Sequence, residues 1–188
     1  MTYLLDILGS TVIGAFVILM VINFNVQLTT FSTDMLFSTL TQSDAVVGGQ
    51  IMEYDLYKIG YRIPAGKIEV ADSIQLTYLT DLQNNGNTDR ITYSVGTIED
   101  MTSSSNPVDR PLLRTQNDQT AIKIADISKF KISYFDSSGT ELNSLGNQIE
   151  RDKIRTIKVD IRFEAPEKME DYYQGVDWER IIRPKNLN

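Results

Sequence analysis

The N-terminal segment places the strongest constraint on how this 188-residue chain folds. From Tyr3 to Ile22 it carries twenty residues with one charged side chain, that of Asp6. An α-helix of about 20 residues can cross the roughly 30 Å hydrocarbon core of a membrane. Residues 12–22 are apolar on every face, which is rare in the helices of soluble domains. Because no basic residue precedes this run and no small-residue cleavage site follows it, we expect an uncleaved membrane anchor over residues 1–23.

Charge and composition argue against several classes of function. Acidic residues outnumber basic ones by 25 to 18, and Lys and Arg form no cluster of the kind that binds a phosphate backbone. The chain has no His and no Cys, which excludes Ser-His-Asp triads, Cys–His pairs, HExxH zinc sites and thiol redox chemistry. No phosphate-binding loop, dinucleotide-binding turn or nucleophile elbow occurs. We therefore expect no enzymatic activity and no cofactor, metal, nucleic acid or small-molecule substrate.

Residues 24–60 place apolar side chains at helical intervals, which predicts an amphipathic stem that continues the membrane helix. Gly48 and Gly49 interrupt this pattern. We expect them to kink or loosen the stem, since Gly costs up to about 1 kcal/mol relative to Ala inside a helix. The stem is expected to end near Gly60, because Pro64 restricts the residue before it to an extended conformation.

Residues 61–188 alternate apolar and polar side chains in the two-residue period of β-strands. The predicted strands are 73–82, 89–96, 112–115, 127–136, 153–166 and 176–184. We expect an α+β fold, in which the long N-terminal helix packs on the antiparallel sheet of a β-rich head and the stem belongs to the same domain. The polar, proline-containing segment 99–111 is expected to cross between sheet layers.

Several motifs together carry a resemblance to a known superfamily. The hydrophobic leading helix with an acid near its start is followed by "YDLYKIGYRIPAG", "LTYLTDLQNNGNTDRITYSVG", "NPVDRPLLRT" and "WERIIRPKN". Together they resemble minor pilins and pseudopilins, in particular the minor pseudopilin J of type II secretion and the W-type minor pilin of type IV pili. The resemblance spans nearly the whole chain, from Met1 to Leu187.

This resemblance implies a non-enzymatic subunit that initiates, tips or joins a filament. Its N-terminus would lie in the cytoplasm, and its head in the periplasm or outside the cell. The implied partners are the membrane and other pilin-like subunits, which bind through the N-terminal helix. Precursors in these families carry a basic leader ending in Gly and have Glu as the fifth mature residue. Here no such leader is visible, and Asp6 is fifth only if Met1 is removed. A single-pass docking subunit of a non-polymerising envelope complex is therefore an alternative, as is a filament made mainly of this subunit.

Asp6 has two interpretations. It lies within the first two turns of the span, where snorkelling and water reduce the cost of a charge. It would then be a tolerated interfacial acid. Alternatively, its carboxylate pairs with the α-ammonium of an adjacent subunit in a low-dielectric environment and sets the axial register of the two helices. The second interpretation makes Asp6 the candidate residue for subunit assembly.

Residues 81–89 resemble a calcium-binding loop in the spacing of their oxygen-bearing side chains. Gln83 occupies a place where Asp or Asn is expected, and Thr92 stands where a calcium loop has a bidentate Glu. Asn and Gly are also the residues that a hairpin turn requires. The sequence therefore favours a turn over a metal site.

Overall fold

The computed structural model describes residues 2–101, 104–117, 119–169 and 171–187. One α-helix, α1, spans Thr2–Tyr57 without interruption. The structure divides into two compact units, Met1–Ser38 and Thr39–Asn188. The first unit therefore contains only helix, whereas the second contains the last part of α1 and all the strands.

The second unit has an α+β architecture with two antiparallel sheets. A five-stranded sheet has the order β1-β2-β3-β4-β5, and a three-stranded sheet has the order β6-β7-β8. The strands are β1 (Ile68–Ala71), β2 (Gln75–Thr80), β3 (Asp89–Val95), β4 (Arg110–Gln116), β5 (Ile122–Ile127), β6 (Lys129–Phe135), β7 (Thr156–Glu164) and β8 (Gly175–Ile182). A short 3₁₀-helix spans Ile98–Asp100, and a one-turn helix, α2, spans Gln148–Arg151.

The core of this unit lies where residues 39–57 of α1 meet the inner faces of both sheets. Met52 and Leu56 of the helix are fully buried, as are Tyr78 and Tyr93 of the larger sheet and Phe163 of the smaller one. On β7 the buried residues alternate strictly with half-buried ones, so one face of the strand supplies the core. The sequence prediction of an α+β fold is confirmed.

The helix α1 continues through the two adjacent glycines without a break, and both glycines lie against the sheets. At Gly49, an added Cβ would lie 2.4 Å from the Nε1 atom of Trp178, which belongs to β8. At Gly48, an added Cβ would lie 3.4 Å from the Cβ of Ala125 on β5. The absence of a side chain at Gly49 therefore lets the indole ring lie directly on the helix backbone.

The end of α1 lies three residues before the predicted position. The helix stops at Tyr57, and the turn that follows includes two residues with positive φ, Gly60 (70°) and Arg62 (59°). The Gly60 N–H donates to the carbonyl of Leu79 at 2.9 Å, which ties this turn to β2. Glycine adopts such a conformation without the strain that a Cβ brings.

Two expectations about the strands were also wrong. The segment predicted to cross between layers instead joins β3 to β4, which are neighbours in the same sheet. The single strand predicted over 127–136 is divided at Ser128, where the chain leaves β5 of one sheet and begins β6 of the other. Strands β1 and β5 were not predicted, because β1 has only four residues and β5 begins with exposed ones.

Candidate functional site

The side chains of residues 3–33, which we call the apolar segment, are exposed throughout. They include three large aromatic rings, those of Phe16, Phe24 and Phe31, each exposed by more than 60%. A continuous apolar surface of this size is far larger than the patches that soluble monomers leave in water. The apolar segment therefore needs an apolar surrounding, either lipid or other protein.

Several polar side chains of the apolar segment donate hydrogen bonds to its own backbone. Six of them donate to carbonyl groups three or four residues earlier, at 2.9–3.1 Å: Ser10, Thr11, Asn25, Thr29, Thr30 and Thr33. A side-chain donor that is bonded to a carbonyl of its own helix does not need water as a hydrogen-bond partner. The Thr-rich stretch after the predicted span is thus compatible with an apolar surrounding.

The uncharged part of α1 is longer than the hydrocarbon core of a membrane is thick. No Asp, Glu, Lys or Arg occurs between Asp6 and Asp34, which leaves the 27 residues at positions 7–33 uncharged. At 1.5 Å per residue this stretch is ~40 Å long, compared with a hydrocarbon core of roughly 30 Å. The helix has the length and apolar character to cross a membrane, and its uncharged surface extends beyond that need.

Asp6 is exposed on α1, and among the described residues it has no hydrogen-bond or ion-pair partner. No contact in the structure tests its proposed role in subunit assembly, which stays a prediction. Position 6 is the last charged position before the uncharged stretch. Its carboxylate is therefore placed where one end of the apolar surface begins.

A second notable site lies in the β-containing unit, where a buried carboxylate joins α1 to the larger sheet. Asp55 is 3% exposed and accepts hydrogen bonds at one oxygen, Oδ2, from the Tyr93 hydroxyl at 2.8 Å and from Nε of Arg114 at 2.6 Å. The three side chains, which we call the anchor network, come from α1, β3 and β4. They fix the end of the helix to two neighbouring strands.

The electrostatics of the anchor network match a structural role. Burial and the neighbouring Asp55 carboxylate raise the pKa of Tyr93, so this hydroxyl stays a hydrogen-bond donor. Burial acts to lower the pKa of Arg114, but its hydrogen bond and attraction to Asp55 hold it above its ordinary value. One oxygen of Asp55 therefore lies between the Tyr93 hydroxyl and the Arg114 guanidinium.

The calcium-like loop is organised by hydrogen bonds to its acidic side chains. The Asp81 carboxylate accepts hydrogen bonds from the backbone N–H groups of Asn85 and Gly86, both at 2.9 Å. It also forms an ion pair with Arg62 at 3.0 Å. Burial acts to raise the pKa of Asp81, but these donors hold it below its usual value. Thr92, at the position of the bidentate ligand, lies in β3, and its hydroxyl contacts that of Thr77 at 3.0 Å. Among the described residues no group of acidic side chains could hold a metal ion.

Comparison of the chain with protein-family models, curated protein sequences and solved structures finds no significant match. The interpretation of the apolar segment and the anchor network therefore rests on their own residues.

Sequence reasoning singled out Asp6 but missed the anchor network. A signal for it was present, because Asp55 lies three residues after Met52 and next to Leu56 on the apolar side of the stem pattern. An acid at such a position must find a partner when it is buried. Which basic residue supplies that partner is not visible locally, since Arg114 lies 59 residues further along the chain.

Proposed function

We propose that this chain is a non-enzymatic, membrane-anchored, pilin-like subunit whose N-terminal helix is the surface through which it assembles. The observation that carries the proposal is the exposed, uncharged stretch of α1 over residues 7–33. Its first part suits the hydrocarbon core of a membrane. The whole of it suits a bundle of helices from neighbouring subunits, because there every face of a helix finds apolar partners.

In this proposal the β-containing unit is the head of the subunit. The resemblance in the sequence favours a filament of the type IV pilus or type II secretion kind, which the subunit initiates, tips or joins. The N-terminus would be cytoplasmic and the head periplasmic or extracellular. The Asp6 carboxylate would pair with the α-ammonium of a neighbouring subunit, since two opposite charges in an apolar bundle attract strongly.

Photo-crosslinking in native membranes tests this proposal. A photo-reactive amino acid replaces Val17 within the apolar segment, and the matched control carries it at Ser138, on an exposed turn of the head. We expect position 17 to capture other subunits that have an apolar N-terminal helix, and to do so more strongly than position 138. Capture of lipid alone at position 17 would contradict assembly through the helix and would favour a lone or fixed single-pass subunit.

The variant Asp6→Ala in the same experiment tests whether the Asp6 carboxylate pairs with a neighbouring subunit. We expect the variant to remain in the membrane fraction, because removing a carboxylate makes insertion easier. Its capture of other subunits from position 17 should fall several-fold, since one member of the charge pair is lost. Asp34→Ala, which removes the other acid of the first unit, is the matched control and should change capture little. Equal capture by wild type and Asp6→Ala would leave Asp6 as an interfacial acid.

A further inference from the structure

A cleft of about 200 Å³ in the β-containing unit is lined by three basic side chains. Lys67 precedes β1, Arg151 ends α2, and Arg155 lies just before β7. All three are half-buried. The cleft is formed by parts of the chain that are remote in sequence, since Pro64 and Leu187 also line it.

Among the described residues these three cations have no carboxylate partner, as is also true of Lys58, which lies outside the cleft. Three other half-buried cations do have one. Arg114, Lys158 and Arg162 each lie 2.6–2.9 Å from a carboxylate oxygen. For Lys67, Arg151 and Arg155 the described contacts are to carbonyl and amide oxygens only. Partly buried charges are normally compensated by an opposite charge. The cleft therefore holds uncompensated positive charge.

Arg151 is held rigidly at the wall of the cleft. Its Nε donates to the carbonyl of Ile68 at 3.2 Å, Nη1 to the carbonyl of Leu145 at 3.0 Å, and Nη2 to Oε1 of Gln148 at 3.1 Å. Acceptors from three segments fix the plane of the guanidinium before any ligand arrives. Such pre-organisation lowers the conformational entropy that a ligand must pay on binding.

The other two cations keep donors free for a ligand. Nη1 of Arg155 donates to the carbonyls of Asp152 and Ile154, at 2.6 and 2.9 Å, while its Nε and Nη2 have no acceptor among the described residues. The ammonium of Lys67 donates to the carbonyl of Asn186 and has further N–H groups. A guanidinium edge and an ammonium together suit the oxygens of a phosphate or carboxylate.

The balance of charge in the cleft indicates the charge of the ligand. Among its described lining residues, Asp152 is the one acid, and its Oδ1 already accepts a hydrogen bond from Gln148 at 2.7 Å. Three cations and one carboxylate leave a charge of +2, in a chain whose net charge is −7. A volume of about 200 Å³ is small for an organic cofactor but sufficient for a compact anion. We propose that this cleft binds a small dianionic oxyanion, that is, a phosphate, a phosphate monoester or a short dicarboxylate.

Isothermal titration calorimetry on the full chain in detergent tests the proposal, with inorganic phosphate, glycerol phosphate and succinate as separate probes. We expect saturable binding of at least one probe at one site per chain. The probe that binds most tightly identifies whether a free phosphate, a headgroup-like monoester or a dicarboxylate is the preferred class. Chloride at the same ionic strength should not reproduce the heat, which separates a site from general screening.

Arg155→Gln is the decisive variant, because it removes free donors while the three hydrogen bonds of Arg151 remain. We expect it to weaken binding about tenfold or more, as for loss of a charge-assisted contact. Arg110→Gln, which removes an exposed arginine outside the cleft, should leave binding unchanged. If Arg155→Gln unfolds, Lys67→Gln takes its place, with thermal unfolding as the check on folding. Absence of saturable heat with all three probes would overturn the proposal. An equal loss of affinity in Arg110→Gln and in the cleft variant, Arg155→Gln or Lys67→Gln, would also overturn it.

Discussion

At the scale of single residues, the anchor network joins a buried carboxylate to a buried hydroxyl and a largely buried guanidinium. Asp55 and Arg114 are both largely buried, with side chains 5% and 14% exposed, and their ion pair is 2.6 Å long. A buried pair contributes little net stability relative to apolar residues, but losing one partner leaves the other charge without compensation. The free energy of unfolding should therefore depend on both Asp55 and Arg114.

We predict that Asp55→Asn destabilises the fold by roughly 3 kcal/mol, because Arg114 then keeps its charge without a counter-ion. Glu53→Gln is the control on the same helix, since Glu53 pairs with Arg180 at 3.4 Å and the arginine side chain is 55% exposed. An exposed pair of this kind is worth about 0–1 kcal/mol. Thermal unfolding followed by tryptophan fluorescence measures both. Equal, small effects would show that Asp55 does not anchor the helix.

A second prediction at this scale concerns alkaline pH. Burial raises the pKa of Tyr78, Tyr93 and Tyr134 in the folded state, whereas an unfolded tyrosine has a pKa of about 10. The folded chain thus keeps protons that the unfolded chain loses, so this contribution to stability is complete below pH ~10 and falls as pH rises above it.

Phenolate absorbance checks the alkaline prediction directly. We expect Tyr78, Tyr93 and Tyr134 to ionise only together with unfolding. Ionisation of all nine tyrosines near pH 10 in a chain that remains folded would contradict the burial of these rings.

At the scale of elements, the contact between α1 and β8 depends on one missing side chain. The Trp178 indole occupies the space that a Cβ at Gly49 would need, whereas Gly48 has ordinary contact distances of 3.4–3.7 Å. We predict that Gly49→Ala destabilises the fold by about 1–3 kcal/mol, the range for overpacking. Gly48→Ala should be near neutral or slightly stabilising, because an added Cβ makes only ordinary contacts and helix propensity improves by up to about 1 kcal/mol.

Fluorescence of the single tryptophan supplies an independent measure for the Gly49 prediction. Displacement of the indole in Gly49→Ala should expose it and shift its emission to longer wavelength, while Gly48→Ala should leave the spectrum unchanged. Identical spectra and stabilities in the two variants would contradict the close approach of Trp178 to the helix.

The same glycines show where sequence patterns are informative and where they are not. Helical and two-residue periods predicted α1 and most strands, because these patterns record which face of each element is buried. The periods contain no information on which elements meet. From the sequence, Gly48 and Gly49 suggested only a kinked or loosened stem, because Gly weakens a helix interior. The contact that Gly49 makes with Trp178 is not visible locally, because Trp178 lies about 130 positions further along the chain.

Pairing between distant segments also explains what was missed elsewhere. The switch between sheets at Ser128 occurs within one residue and leaves no turn signal of the Gly, Pro or Asn kind. The cleft of Lys67, Arg151 and Arg155 combines residues up to 88 positions apart, and none of them stands out in its local sequence. Asp6, by contrast, stands out in its local sequence, because it is the one acid within an apolar run, and its role stays a prediction.

At the scale of the whole molecule, the chain combines two units with opposite requirements. The unit over residues 39–188 buries its apolar side chains in its own core. In the other unit, the apolar segment over residues 3–33 exposes its apolar side chains, and six of its polar side chains donate hydrogen bonds to its own backbone. A helix of that kind is stable only where lipid or other helices surround it. Assembly through the helix is therefore the central claim for this protein.

Electron cryo-microscopy of the native assembly, purified from membranes in mild detergent, tests that claim most directly. We expect a helical filament or a short filament stub in which residues 7–33 of this chain pack among the helices of other subunits, with the β-containing unit as the head. A discrete particle in which detergent or lipid surrounds these residues, and no helix of another subunit contacts them, would contradict it.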